Sequence, residues 1–305
     1  MFRDLISLTD LTARDVAAIT DRAVELGGAP PDRTRAGLAV GICFAGPSTR
    51  TRTSFWRAAT SLGADVINYD AAGLQLSTGE TWEDTSRVLA QYLDVLVVRT
   101  NGDIRDLRRL AECSELSVVN ALTRHEHPTQ ALADLATLKE VFGDLDGRHL
   151  VYAGEGNGTA VALAQAAALT PGMSLTIVTP QGYGVPGEAM ESVRQIADAK
   201  ERVREVHSFA QVREEADAVY TSRWQQMGVA KPDADWLTSF EPYRVDDALL
   251  DRLGGADTVV LHDLPAVRGQ EITPEVLDGG RSRVIRQARH KFTAATAVLE
   301  WCTAR

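Results

Sequence analysis

Short apolar runs of strand type alternate with amphipathic segments of helical period along most of this chain. In the first half the strand-like runs are GLAVGICFAG, DVINYD, VLVVRT and SVVNAL, with helical segments such as TSFWRAATSLGA and DIRDLRRLAEC between them. The alternation resumes in the second half with HLVYAG, SLTIVTP, ADAVYTS and DTVVLHD. Because parallel strands need a long crossover, usually a helix, this order predicts parallel sheets with helices on both faces. We therefore expect an α/β protein with two doubly wound parallel-sheet domains of similar size.

The turn-rich segment GDLDG, residues 143–147, interrupts the alternation and is the best candidate for a domain boundary. At 305 residues the chain is long enough for two domains that each bury a core. We expect a first domain over residues 1–143 and a second over residues 144–288. The first helix should begin after Thr12, whose spacing to Asp15 is typical of a capping box.

Charge and composition exclude several classes of partner. The formal net charge of −10 argues against nucleic acid or a membrane surface, since both require a basic face. No stretch is long and apolar enough for a membrane span, and the amino terminus lacks the pattern of a secretory signal. The three cysteines are far apart and have no zinc or disulfide spacing. We expect a cytoplasmic protein that binds anions through local arginines.

The segment PSTRTR follows an apolar strand and begins a helix. Backbone N–H groups at a helix N-terminus, the hydroxyls of Ser48, Thr49 and Thr51, and the forked guanidinium of Arg50 can converge on one phosphate. The alternative is that the hydroxyls only cap the helix while the arginines are solvated. The segment favours an oxyanion site.

Two further segments place polar groups at strand ends. Arg99 stands at the carboxyl end of VLVVRT, the edge where open α/β sheets bind ligands, although a surface arginine is equally compatible with the pattern. His127 and Gln130 in HEHPTQ lie three residues apart at a helix start and therefore on one side of it. A histidine can donate to a carbonyl oxygen, and a glutamine offers both a donor and an acceptor. For His127 alone, a capping role in a loop is the simpler interpretation.

Taken in order, PSTRTR, a strand ending in arginine, HPTQ, a G-x-G-N loop and HxLP resemble the carbamoyltransferase family of ornithine and aspartate transcarbamoylases. The resemblance covers essentially the whole chain and implies transfer of a carbamoyl group from carbamoyl phosphate to an amine, with no metal or organic cofactor. It also implies that the last helix, about residues 289–305, packs back on the first domain. A homotrimer with shared active sites is implied as well, in which the loop around Ser77 and Thr78 reaches a neighbouring subunit.

The resemblance assigns the predicted site residues. The carbamoyl phosphate site would comprise Ser48, Thr49, Arg50, Thr51, Arg99, His127, Gln130, the backbone at Leu264, and Lys291. The residues expected to act in catalysis are Arg50, Thr51, Arg99, His127, Gln130 and Asp263. Donors arranged around the carbonyl oxygen would stabilise the tetrahedral oxyanion that forms when the amine attacks. Arg52, in the same motif, is expected to make an internal salt bridge instead.

The predicted acceptor site departs from both parent patterns; its residues are Asn157, Ser222, Arg223, Gln225, Met227 and Asp263. The run TSRWQQMG matches the TDxWxSMG segment of ornithine enzymes, but Ser222 stands in place of the aspartate. Tyr220, Arg223 and Gln225 instead match the Y-x-x-R-x-Q of aspartate enzymes, whereas Asn157 is of the ornithine type. The acceptor is therefore expected to be a small carboxylate-bearing amine that is neither parent substrate.

Asp263 takes the position that is cysteine in ornithine enzymes and proline in aspartate enzymes. We expect it to bind or deprotonate the attacking amine in place of the missing carboxylate, the alternative being a turn or capping aspartate. On the donor side, Trp56 replaces a glutamate, Thr78 replaces a cation, and Lys291 stands near a family arginine. These departures leave open a noncatalytic paralogue with a binding or regulatory role. The segment AGEGNG only weakly indicates a dinucleotide-binding site, because no acidic residue ends the next strand.

Overall fold

The computed structural model describes most of the chain. The described residues are 2–29, 31, 33, 35–70, 79–196, 198–225, 231 and 235–304. The predicted site residues Ser77, Thr78 and Met227 lie outside them.

The chain divides into two compact units, which are described separately. Unit 1 comprises residues 1–136 and 289–305, and unit 2 comprises residues 137–288. The chain passes between them within two helices, α5 (Pro128–Phe142) and α12 (Val284–Cys302). The first crossing lies between Ala136 and Thr137, inside α5, and therefore before the turn at 143–147.

Unit 1 contains a parallel sheet in the order β2-β1-β3-β4 among its described residues. Its strands are β1 (Ala39–Phe44), β2 (Asp65–Asp70), β3 (Val95–Arg99) and β4 (Ser117–Leu122). Its helices are α1 (Ala13–Gly28), α2 (Thr49–Ser61), α3 (Trp82–Leu89), α4 (Ile104–Glu112) and the first turns of α5. One core cluster lies where α3 and α4 cover the sheet and includes Leu89, Leu96, Val98, Leu107 and Val118.

Unit 2 contains a second parallel sheet, in the order β7-β6-β5-β8-β9. Its strands are β5 (His149–Ala153), β6 (Ser174–Val178), β7 (Val203–Val206), β8 (Ala218–Thr221) and β9 (Val259–His262). Its helices are α6 (Gly158–Ala168), α7 (Gly187–Arg194), α8 (Ala199–Arg202), α9 (Trp236–Phe240), α10 (Asp247–Leu253) and α11 (Pro274–Asp278). The predicted architecture of two parallel sheets with flanking helices is confirmed.

Local signals in the sequence account for several boundaries. The Thr12 hydroxyl accepts a hydrogen bond from the Asp15 N–H, and the Asp15 carboxylate accepts one from the Thr12 N–H, so the predicted capping box is present. Strand β2 coincides with DVINYD. Strand β7 was not predicted, since VREV is a short edge strand whose charged residues interrupt the apolar pattern.

The carboxyl-terminal part of α12 packs against the first helix of unit 1, as predicted. Arg22 of α1 forms two hydrogen bonds with the Glu300 carboxylate, of 2.6 and 3.0 Å. The Trp301 indole N–H donates to Asp15 Oδ1 over 3.1 Å. The helix begins at Val284, earlier than the apolar pattern of its second half indicated, because its first turns are polar.

Candidate active site

Three neighbouring strands of unit 1 end at the same edge of the sheet and carry the predicted donor residues. Phe44, the last residue of β1, pairs with Arg99, the last residue of β3, and Arg99 pairs with Leu122 at the end of β4. The segments that follow β1 and β4 are PSTRTR and the loop leading to HPTQ. Parallel pairing thus brings together three motifs that are separated by up to eighty residues of chain.

The start of α2 is arranged to receive an anion. Ser48 is the residue before the first turn, and its hydroxyl makes no capping hydrogen bond to that turn. The first turn contains Thr49, Arg50 and the buried Thr51. Arg99 donates from Nη1 to the Thr51 hydroxyl over 3.4 Å. Backbone N–H groups and at least one guanidinium therefore lie together at the positive end of a thirteen-residue helix.

Arg52 makes the internal salt bridge that was predicted for it. Its Nη2 lies 2.9 Å from Asp70 Oδ1 at the end of β2, and its guanidinium lies 5.4 Å from the Phe44 ring centroid. This pairing holds the start of α2 against the ends of β1 and β2. Trp56, which replaces a family glutamate, is 46% exposed.

His127 is buried in a region that also holds the charges of two cations. Burial lowers the pKa of its imidazole well below the ordinary value of 6.5, and the charges of Lys291 and Arg99 lower it further. Its Nδ1 lies 3.5 Å from the Thr129 hydroxyl, at the limit of a hydrogen bond. The ring is therefore neutral near pH 7 and carries a single N–H, which suits it to donate a hydrogen bond.

Gln130 is held from both ends of its amide. Its Nε2 donates to Asp134 Oδ1 over 2.8 Å, and its Oε1 accepts from Lys291 Nζ. Asp134 is fully buried one turn further along α5, and Lys291 is 7% exposed on α12. The two partners fix which end of the Gln130 amide is donor and which is acceptor. Asp134 was not identified from the sequence, although its i+4 spacing on the helix is a usable signal.

In unit 2, the ends of β5 and β8 are neighbours and carry Asn157 and Ser222. The Asn157 side chain caps α6, accepting from the Thr159 and Ala160 N–H groups, and donates from Nδ2 to the Ser222 hydroxyl over 3.0 Å. Ser222 also bonds the Tyr152 hydroxyl at 2.6 Å. Because the Tyr152 proton goes to the Glu155 carbonyl, Ser222 donates to Tyr152. The Ser222 hydroxyl is thus buried, donates its one proton within the protein, and keeps one lone pair that can still accept a hydrogen bond.

Asp263 follows β9, beside the end of β8. Its Oδ2 accepts a hydrogen bond from the Thr159 hydroxyl over 3.0 Å, and its side chain is 17% exposed. Its Oδ1 lies 3.5 Å from His262 Nδ1, but this contact is not an ion pair. The Leu264 N–H donates to that same Nδ1 over 2.8 Å, so the nitrogen bears a lone pair and no proton.

His262 and Glu271 fix the HDLP turn through hydrogen bonds to each other and to its backbone. His262 Nε2 donates to Glu271 Oε1 over 3.0 Å, and the Val267 N–H donates to the same oxygen over 2.6 Å. The Leu264 backbone has a φ of +56°, which a side-chain-bearing residue seldom adopts. Since the Leu264 N–H is used by His262, the backbone group that Leu264 can offer a ligand is its carbonyl oxygen. Neither His262 nor Glu271 was selected from the sequence.

Arg223 and Gln225, the remaining described acceptor candidates, are half-buried after β8. Within the described ranges no group of three or more His, Cys, Asp and Glu side chains could hold a metal ion. None of the described helices is both long and apolar enough to cross a membrane.

Comparison with known proteins agrees with this arrangement. Two family models match: the aspartate/ornithine carbamoyltransferase carbamoyl-P binding domain over residues 3–140, and the Asp/Orn binding domain over residues 146–302. An ornithine carbamoyltransferase of Acidothermus cellulolyticus is 40% identical over 99% of this chain and 96% of its own. One of Nostoc punctiforme is 38% identical over 97% of this chain and 96% of its own.

Solved structures give the same result. The ornithine carbamoyltransferase of Pyrococcus furiosus superposes with a TM-score of 0.90 at 33% identity, covering 98% of this chain and 96% of the other. That of Gloeobacter violaceus superposes with a TM-score of 0.87 at 36% identity, covering 99% of both chains. The chain belongs to the aspartate/ornithine carbamoyltransferase family and is a transferase.

Proposed function

We propose that this enzyme transfers the carbamoyl group of carbamoyl phosphate to a primary amine of a small, carboxylate-bearing, amino-acid-like acceptor. The products are a ureido compound and phosphate. The observation that carries the proposal is the group at the strand ends of unit 1, where Arg99 contacts Thr51 and lies close enough to His127 to lower its pKa. An anion-binding helix start beside a neutral imidazole donor suits an acyl phosphate, in which a phosphate group and a carbonyl oxygen are carried by one small molecule.

The phosphate would be bound by the first turn of α2, through the hydroxyls of Ser48, Thr49 and Thr51 and the guanidinium of Arg50. Arg99 would bridge the phosphate and the carbonyl oxygen. These groups also stabilise the leaving phosphate, whose charge grows as its bond to the carbonyl carbon breaks.

His127 would donate its N–H to the carbonyl oxygen, on which negative charge develops as the amine attacks. A neutral imidazole is suited to this role, because its N–H donates to the carbonyl oxygen while the nearby Arg99 and Lys291 supply the positive charge. Gln130 would orient the carbamoyl nitrogen together with the Leu264 carbonyl, and Lys291 would hold Gln130. The amine nitrogen forms a bond to the carbamoyl carbon, and the bond between that carbon and the phosphate oxygen breaks. The proton that the nitrogen loses passes to Asp263 or to the departing phosphate, which leaves with the bonding electron pair.

The acceptor would be bound by Asn157, Ser222, Arg223, Gln225, Met227 and Asp263. The relatives' names support an ornithine-like amine. Ser222, however, offers no carboxylate, and its hydroxyl is already bonded to Tyr152 and Asn157. Asp263 is a partly exposed carboxylate that is hydrogen-bonded to Thr159 beside Asn157, and we assign it to bind or deprotonate the attacking amine.

The proposal extends to the assembly that the resemblance implies and to the cytoplasmic location that the cysteine pattern favours. We infer a homotrimer in which Ser77 and Thr78 contribute to a neighbouring subunit's site, which sedimentation velocity can test. The cysteines Cys43, Cys113 and Cys302 are free, which suits the reducing cytoplasm.

The test is phosphate release from carbamoyl phosphate by the purified enzyme, with mass-spectrometric detection of the ureido product. The amine panel would contain ornithine, aspartate, diaminopropionate, diaminobutyrate, putrescine and acylated ornithines. We expect turnover with one class of amine and its loss in Arg50→Ala. Arg57→Ala, an exposed arginine two turns later on α2, is the matched control and should retain activity.

The outcome against the proposal is equally definite. If no amine is carbamoylated and calorimetry detects no binding of carbamoyl phosphate, the site binds another anion, and a noncatalytic binding role replaces the enzymatic one. Binding without turnover across the panel would also favour that noncatalytic role.

A further inference from the structure

The ammonium group of Lys231 is enclosed by a carboxylate and three aromatic rings in unit 2. Its Nζ is hydrogen-bonded to Glu155 Oε1. It lies 5.1 Å from the ring centroid of Tyr183, 5.5 Å from that of Trp236 and 5.1 Å from that of Phe240. We call Glu155, Tyr183, Trp236 and Phe240 the aromatic cage. Aromatic faces combined with a carboxylate are a known means of recognising ammonium groups.

The walls of the cage are supported independently of Lys231. The Gly156 N–H donates to the Tyr183 carbonyl over 2.8 Å. A Cβ on Gly156 would lie 2.1 Å from the Val185 nitrogen, so the loops after β5 and β6 are in direct backbone contact. The Phe240 ring packs on Tyr183 at 4.8 Å and on Trp236 at 5.4 Å. The cage is therefore built from two strand-end loops and α9.

The cation is the component of this arrangement that another ligand can replace. Lys231 lies outside the helices and strands, and its side chain is only 4% exposed, so the lysine fills the cage and must withdraw before another cation can enter. Tyr183 and Trp236 are partly buried walls of the cage, through which such a ligand would approach. The second carboxylate oxygen, Glu155 Oε2, is buried and has no hydrogen-bond partner among the described residues. It can therefore accept a further N–H. Burial raises the pKa of Glu155, and the hydrogen bond and charge of Lys231 oppose that rise, so a cation beside the carboxylate favours its ionised form.

The cage is also joined to the predicted acceptor residues. The Glu155 carbonyl accepts the Tyr152 hydroxyl proton over 2.8 Å, and Tyr152 bonds Ser222, which in turn bonds Asn157. The cage and these residues belong to neighbouring strand ends of one sheet, the edge at which α/β proteins bind small molecules.

We propose that the aromatic cage is a recognition site for the alkylammonium group of a small ligand, and that Lys231 occupies it when the ligand is absent. The inference rests on the proposed function in one respect: we take the ligand to be a second ammonium group of the amine acceptor. A lysine side chain ends in the same primary alkylammonium group, so the bound Lys231 shows which chemistry the cage accepts. A tethered lysine competes at an effective concentration in the millimolar range, which weakens the apparent affinity of a free amine.

Two substitutions of Lys231 separate recognition from simple packing. Lys231→Ala empties the cage, whereas Lys231→Met fills it with a neutral side chain of similar length. Binding of n-propylammonium chloride would be followed through tryptophan fluorescence, to which Trp236 contributes, and by calorimetry, with n-propanol as the uncharged probe. We expect Lys231→Ala to bind n-propylammonium at least about tenfold more tightly than the unmodified protein. Lys231→Met should show no such gain in affinity for n-propylammonium. Adding Glu155→Gln to Lys231→Ala should abolish the gain.

Equal affinity of Lys231→Ala and the unmodified protein for n-propylammonium would overturn the proposal, as would equal binding of n-propanol. Lys231→Ser replaces Lys231→Ala if the latter does not fold, and loss of folding in both would show that the lysine is a structural anchor. This measurement requires no turnover, so it decides the inference even if the proposed reaction fails. If turnover is found, Lys231→Ala should lower KM for a diamino acceptor and leave KM for carbamoyl phosphate unchanged, whereas a structural anchor predicts a raised KM.

Discussion

Lys291 Nζ, on the last helix, donates a hydrogen bond to the Oε1 atom of Gln130, which lies 161 residues earlier in the chain. The bond spans two helices of unit 1, α12 and α5, and both side chains are buried. Where the resembling family has an arginine nearby, this chain uses an ammonium group, which is a point charge without the planar fork. Because Asp134 holds the other end of the amide, the lysine is sufficient to orient Gln130.

Replacing Lys291 should therefore weaken the binding of the donor substrate, carbamoyl phosphate. In Lys291→Met we expect KM for carbamoyl phosphate to rise about tenfold, which corresponds to the ~1.5 kcal/mol of a hydrogen bond to a charged group. Lys291→Arg should retain more of the affinity than Lys291→Met because it keeps the charge. Steady-state kinetics check this, with the exposed Lys200→Met as control. An unchanged KM in Lys291→Met would remove Lys291 from the donor site.

His127 should titrate far below an ordinary histidine. Its pKa is lowered first by burial and then by the charges of Lys291 and Arg99. In an NMR titration its ring signal should show no midpoint between pH 6 and 7, with His127→Gln identifying the resonance. Removing one cation favours the protonated form, so Lys291→Met should raise the midpoint. A midpoint near 6.5 in the unmodified protein would contradict the buried, neutral imidazole.

The sheets were predictable because their strands are apolar runs between turn signals, and the donor motifs because they follow those strands. Contacts between side chains that are distant in the chain could not be predicted from the sequence pattern. Lys231 and Glu155 are 76 residues apart, and nothing local to either residue indicates the other. Ser222 could be identified as a departure from the family, but only the structure shows its hydroxyl bonded to Tyr152 and Asn157.

The two nitrogens of His262 should have separable roles. In His262→Asn the amide reaches the position of Nδ1 and can still accept from the Leu264 N–H, whereas His262→Gln reaches toward Glu271 and leaves that N–H without its acceptor. We expect KM for carbamoyl phosphate to rise about tenfold in His262→Gln and clearly less in His262→Asn, since an unsatisfied buried N–H costs ~1–3 kcal/mol. Equal effects of both substitutions would mean that the contact with Leu264 does not position the HDLP turn.

Asp263→Asn tests the assignment of the acceptor carboxylate. If Asp263 binds or deprotonates the amine, kcat/KM for the acceptor should fall by about 100-fold or more, with KM for carbamoyl phosphate unchanged. Thr159→Val removes the hydroxyl that donates to Asp263 Oδ2 and should cause a smaller loss. Full turnover of Asp263→Asn with unchanged KM for the amine would show that Asp263 is only a turn residue.

Glu126 should make the stability of the protein depend on pH. The side chain is 2% exposed, its Oε1 has no hydrogen-bond partner among the described residues, and burial raises the pKa from 4.5 to about 7. The folded state therefore binds this proton more tightly than the unfolded chain does. The free energy of unfolding should fall as the pH rises from about 4.5 to 7, by about 3 kcal/mol in total from this group.

Glu126→Gln keeps the shape of the side chain and removes this proton. The measurement is urea unfolding at pH 5 and pH 8 for the unmodified protein, for Glu126→Gln and for the exposed control Glu115→Gln. His127 contributes a slope of the opposite sign, since its folded pKa is lowered and acid favours the unfolded chain, but that slope is common to all three proteins. The pH-dependent difference between Glu126→Gln and the unmodified protein therefore isolates Glu126. If that difference is the same at both pH values, Glu126 is ionised in the folded protein at pH 5, and a partner for its carboxylate must exist.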